Sequence, residues 1–89
     1  MRTIWKFEIP IQDEFELQIP MASQVLTVQV QHGKPCIWVM VNPDAKRITY
    51  QFVLRGTGHP IEGDLGPHIG TLQMADGSLV FHLFHAWYK

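Results

Sequence analysis

The feature that most constrains this chain is a two-residue alternation of apolar and polar side chains, repeated over four short stretches. A period of two sends successive side chains to opposite faces of a β-strand. Thr3, Trp5, Phe7 and Ile9 fall on one face, with Lys6 and Glu8 on the other. Phe15, Leu17 and Ile19 alternate with Glu16 and Gln18, and Leu26, Val28 and Val30 with Thr27, Gln29 and Gln31. Ile48, Tyr50, Phe52 and Leu54 alternate with Thr49, Gln51 and Arg55. Half-wet strands of this kind cover one side of a core in antiparallel sheets. Residues 36–41 and 79–88 differ, being apolar on both faces apart from His82 and His85. Such strands lie in the middle of a sandwich or barrel, or carry their second face into a subunit interface.

Turn chemistry separates these stretches. His32-Gly33 suits a tight primed turn with positive φ. Asn42-Pro43-Asp44 begins another reversal, with proline presetting φ. Asp76-Gly77 is the strongest hairpin signal and joins residues 69–74 to 79–88. Pro10 and Pro20 end strands, because proline cannot donate to a ladder. No window carries a capped helical period, and residues 61–65 have at most the makings of one turn. The expected fold is all-β: one domain over 1–89, a compact antiparallel meander of about six or seven strands forming a small sandwich or partly open barrel.

Composition narrows the function classes. The chain is 46% hydrophobic and 17% charged, a globular balance and not a disordered one. Seven basic residues against eight acidic ones give a net charge of −1, which argues against a duplex nucleic-acid partner. Nothing resembles a membrane span or a signal segment, so no membrane partner is expected. Cys36 is the only cysteine, which rules out an internal disulfide and a thiolate zinc site, and it suits a reducing compartment. Its neighbours Ile37 and Trp38 mark it as a small packed residue. So short a chain buries only roughly 60–65% of its unfolded surface. With no wet face over 79–88, a homo-oligomer, a dimer or higher, is expected.

One stretch breaks the strand pattern: residues 56–68, with four glycines, two prolines, two histidines and two carboxylates. Loops of about 12–15 residues are uncommon in compact domains and are often functional. Arg55-Gly56-Thr57-Gly58-His59 has the chemistry of an anion or nucleotide contact. Glycines bring backbone N–H groups close to a phosphate, arginine supplies a charged fork, threonine a hydroxyl and histidine a switchable donor. The spacing matches neither a phosphate-binding P-loop nor a dinucleotide fingerprint. His68 closes the same loop, and Trp38 or Trp87 offers a surface for stacking a base. His82 and His85 are three apart and fall on opposite faces of a regular strand, and although His59 and His68 share a loop with Glu62 and Asp64, a conceivable three-ligand set, no strong metal pattern is present, so no metal site and no cofactor are expected. No serine sits in a nucleophile elbow, and no catalytic constellation is expected.

The stretches LTVQVQHGKPCIWVMVNPDA, LRGTGHPI and IGTLQMADGSLVFHLF resemble a family of short phage proteins carried as a domain of unknown function. The resemblance spans Val25 to Phe84, and the first third of the chain shares only a strand-like character. It brings no activity and no catalytic residues with it. It implies a phage accessory or counter-defence factor made in the host cytoplasm. By analogy of lifestyle with unrelated small phage proteins, it implies a sponge for a cyclic-nucleotide or ADP-ribose-type signal. The expectation is therefore a non-enzymatic binder of a small phosphorylated nucleotide-type ligand. The alternatives are a protein–protein module (a host-protein inhibitor or virion accessory) with 81–88 as its interface, and a small nucleotide hydrolase using His59 and His68.

Overall fold

A computed structural model describes residues 1–86. It contains β1 (Thr3–Glu8), β2 (Glu14–Pro20), β3 (Gln24–Gln31), β4 (Lys34–Val41), β5 (Arg47–Gly56), β6 (His68–Met74) and β7 (Leu79–Ala86). The strands form two antiparallel sheets, one in the order β1-β4-β3 and the other β2-β5-β7-β6. The shortest extent of the molecule is 15 Å, the thickness of two packed sheets whose backbones lie about 10 Å apart.

The alternating positions meet between the sheets. Ile9, Phe15, Ile19, Val28, Ile37, Val39, Val41, Tyr50, Phe52, Leu54, Leu72 and Leu83 form one buried cluster, with Trp5, Phe7 and Leu17 packed against it. One expectation fails at β3. The ladder slips between Val25 and Thr27, so Val25 packs against the core and Leu26 is left exposed. An extra residue in one strand inverts the faces locally, and strict alternation along the sequence cannot register it.

The path also departs from a simple meander. Only β3–β4 and β6–β7 are neighbours both in sequence and in a sheet. Three connections cross between sheets, after Pro10, after Pro20 and through Asn42–Asp44, while the β5–β6 loop stays with one sheet and steps past β7. Tyr50 pins the second crossing: its hydroxyl accepts from the Ser23 N–H at 2.9 Å, while Ser23 Oγ donates to the Pro20 carbonyl at 2.6 Å. Asn42 Oδ1 accepts from the Asp44 N–H at 3.1 Å and shapes the third. His32 and Gly33 both have positive φ, as a type I′ turn requires. Residues 61–65 form no helical turn; a 3-10 turn stands instead at Ala75–Gly77, inside the β6–β7 hairpin.

The sheets do not close into a barrel. On one side β3 and β6 converge, where a Cβ on Gly70 would stand 2.9 Å from Val28 Cγ1. On the other, the Arg47 guanidinium of β5 lies 5.2 Å over the Trp5 ring of β1.

Candidate ligand cavity

Strand register builds the site on the outer face of the four-stranded sheet. Leu54 pairs with Leu83, and both face the core. Their neighbours Arg55 and His82, themselves paired, must therefore face outward, and Thr71 of β6 continues that row. The next row is Val53, Phe84 and His68. The loop between β5 and β6 folds back over these rows. Leu65, Val53 and Ala86 form a second buried cluster with Phe84 packed against it. On the outer face of β7, which looked from the sequence like a subunit interface, Leu65 of the chain's own loop packs over Phe84 and Ala86.

Two glycines allow this roof. Gly66 has φ +88°, and a Cβ there would meet the His85 carbonyl oxygen, so the loop lies directly on the β7 backbone. The Asp64 carboxylate accepts from the Gly66 N–H at 2.8 Å, and the His85 N–H donates to the Pro67 carbonyl at 3.0 Å. At the other end, Gly56 lacks the side chain that would crowd the His59 imidazole, which sits 3.0–3.4 Å from where its Cβ would be.

Between loop and sheet is a shallow cavity of about 350 Å³ lined by Arg55, Gly56, Thr57, Gly58, His59, Ile61, His68, Thr71, His82 and Phe84. That volume lies near the small end of ligand pockets, which span roughly 300–1,000 Å³. Its polar groups form a chain. Thr57 Oγ1 is 2.8 Å from His82 Nε2, Thr71 Oγ1 is 3.0 Å from His82 Nδ1, and His68 Nε2 is 3.4 Å from Thr71 Oγ1. The His68 ring leans on Phe84, their centroids 5.3 Å apart.

The cationic side of the cavity is more committed than the sequence suggests. Arg55 Nη1 donates to the carbonyls of Asp13 at 3.0 Å and Leu54 at 3.1 Å, and Nη2 faces the Glu14 carboxylate at 3.9 Å. The Thr57 N–H donates to the Val80 carbonyl and the His59 N–H to that of Gly56. An anion nest needs successive free N–H groups, and the segment 57–59 does not offer them.

Arg55, Gly56, Thr57, Gly58, His59 and His68 are thus brought together in one cavity. Trp38 is not with them: it pairs with Lys6 and Thr27 on the outer face of the three-stranded sheet, across the core. Trp87 lies outside the described residues. Ile61, Thr71, His82 and Phe84 join the site without having been expected as ligand contacts. Their signal was strand register, which places Thr71 and His82 beside Arg55. His85 points the opposite way from His82, into the core, stacked on Tyr50 at 5.2 Å and Phe52 at 5.3 Å between centroids. Its pKa is lowered by burial. Among the described residues no cluster of three or more metal-binding side chains occurs. A larger hollow of about 470 Å³ beside Glu14 and Glu16 is flanked by carboxylates, the wrong charge for a phosphate.

Fold and cavity define a small two-sheet β-sandwich with a histidine- and threonine-lined hollow under a glycine-hinged loop. The chain belongs to the family described as Domain of unknown function (DUF7352), whose pattern matches residues 1–89. No curated protein and no solved structure matches it.

Proposed function

We propose that this protein is a non-enzymatic binder that captures a small nucleotide-derived ligand in the cavity under the loop. Following its resemblance to short phage proteins, it would sequester a host immune signal in the host cytoplasm. The observation that carries the binding reading is convergence. Residues from β5, β6, β7 and the loop enclose one hollow that combines an apolar wall, Phe84 and Ile61, with a few linked polar groups, the usual make-up of a small-molecule site.

A second reading rests on the 2.8 Å contact between Thr57 Oγ1 and His82 Nε2, a spacing at which an imidazole can take a hydroxyl proton. The group on the far side of His82 is the neutral Thr71 and not a carboxylate, so it cannot stabilise an imidazolium as an aspartate does. Binding is the stronger reading.

The test is a thermal-shift screen against mononucleotides, cyclic dinucleotides and ADP-ribose, with products followed by chromatography. A ligand at a hundredfold excess over Kd adds ~2.7 kcal/mol of stability. The binding reading expects such a shift, abolished in Phe84→Asp, and unchanged ligand on recovery. Turnover would favour the second reading, and no shift across the panel would favour a protein–protein module.

A further inference from the structure

We infer that the cavity recognises the uncharged, hydrogen-bonding part of its ligand, a nucleobase-type ring edge, and leaves any phosphate outside; this rests on the binding reading above. The chain Thr57–His82–Thr71–His68 carries the inference. A hydroxyl and a neutral imidazole each donate one proton and accept at another position. Because a hydroxyl can also accept twice, the three contacts admit three consistent arrangements. In one, Thr57 donates to His82 Nε2, His82 Nδ1 donates to Thr71, and Thr71 donates to His68 Nε2. The ends then offer an N–H at His68 Nδ1 and an accepting oxygen at Thr57. In a second, every bond reverses, and the ends offer an acceptor at His68 and an O–H at Thr57; in the third, Thr71 accepts from both histidines, leaving its own O–H free and acceptors at His68 Nδ1 and Thr57.

In each arrangement the four side chains present at least one donor and one acceptor, and those roles can exchange. Such a mixed set of donors and acceptors suits the polar atoms of a nucleobase-type heterocycle, whose ring nitrogens accept and whose amino groups donate. Phe84 and Ile61 supply the apolar surface such a ring needs.

The charge distribution points the same way. Arg55 spends two N–H groups on main-chain carbonyls and faces Glu14, and the N–H groups of Thr57 and His59 are spent on Val80 and Gly56. A phosphate moved into the cavity would give up water for a guanidinium partly committed to main-chain carbonyls and faced by a carboxylate, and for N–H groups of Thr57 and His59 that are already bonded, a poor exchange for an anion. A ring edge would lose little, because the chain reorients to match it. A site built to hydrogen-bond a polar edge discriminates strongly against ligands lacking it.

The experiment is a calorimetric titration of the full chain with the four common ribonucleosides, their 5′-monophosphates and ribose 5-phosphate. The expected result is that at least one nucleoside binds, that its monophosphate binds within about threefold of it, and that ribose 5-phosphate does not bind. Thr71→Val removes one exposed hydroxyl and keeps the shape; it should weaken that nucleoside at least tenfold, with Thr71→Ser restoring affinity. Binding of ribose 5-phosphate, or a monophosphate bound more than tenfold tighter than its nucleoside, would overturn the inference and leave the nucleotide reading standing. Unchanged affinity in a folded Thr71→Val would also overturn it. Failure of every nucleoside and nucleotide to bind would remove both together.

Discussion

At the scale of single residues, two side chains have roles that their types did not announce. His85 is a histidine used as a core ring, stacked on Tyr50 and Phe52, and burial lowers its pKa from 6.5. Above 6.5 the imidazole is neutral both folded and unfolded. As pH falls below 6.5, the unfolded chain takes up a proton that the folded chain refuses until its own lower pKa is reached. Stability therefore declines across that window and then levels off. His85→Phe keeps a ring in the stack and removes the titration, so its urea midpoint should fall less between about pH 7.5 and about pH 5 than that of the native chain. Equal acid slopes would show that His85 does not couple to folding. Arg55 is the second case. Its side chain is only 20% exposed and ties β5 to the carbonyl of Asp13 ahead of β2. Arg55→Ala should cost about 1–2 kcal/mol in urea unfolding while weakening nucleoside binding by no more than about threefold. A large loss of affinity at unchanged stability would restore it to the role of anion fork.

At the scale of elements, the loop between β5 and β6 behaves as a lid tacked down at Leu65 and Gly66. Leu65 is 7% exposed and fills a small cluster with Val53 and Ala86. Leu65→Ala should destabilise by about 2 kcal/mol, the low end for a buried leucine because the cluster is small. Gly66→Ala should be worse, roughly 2–4 kcal/mol, since positive φ and a clash with the β7 backbone add together. Hydrogen exchange offers the finer check: both variants should speed exchange at the His85 N–H, which the Pro67 carbonyl holds. The element scale also shows what was readable beforehand. Alternation identified the strands and the inner faces of β1, β2 and β5, and the glycine-rich stretch marked the loop that roofs the cavity. Two things were hidden. The bulge at Leu26 is a backbone event with no side-chain signature. The partnership of Arg55 with His82 and Thr71 depends on register between strands far apart in sequence, and several topologies satisfy the same pattern. Hence His82 was weighed only as a metal ligand, and Thr71 not at all.

At the scale of the whole molecule, the question is what sets the distance between the two sheets. Along most of the interface large side chains keep them apart, yet at the β3–β6 seam the backbones converge. Gly70 is why they can. Its φ lies outside the left-handed region, so alanine would fit the local backbone; the obstacle is Val28 Cγ1, 2.9 Å from the added Cβ. Val28 is 5% exposed and β-branched, with little rotamer freedom to swing aside. Gly70→Ala should therefore push the seam open and cost about 1–3 kcal/mol, the usual penalty for overpacking. Val28→Ala alone should also destabilise, by lost burial. The double variant returns the space that the new methyl needs, so it should be more stable than the sum of the two single effects, with a coupling of at least about 1 kcal/mol. Because β6 also carries His68 and Thr71, the opened seam of Gly70→Ala should weaken nucleoside binding and the double variant should recover part of it. Urea unfolding of the four chains decides the matter: additivity within about 0.5 kcal/mol would mean that Gly70 and Val28 do not meet, and that something other than this contact holds the sheets together.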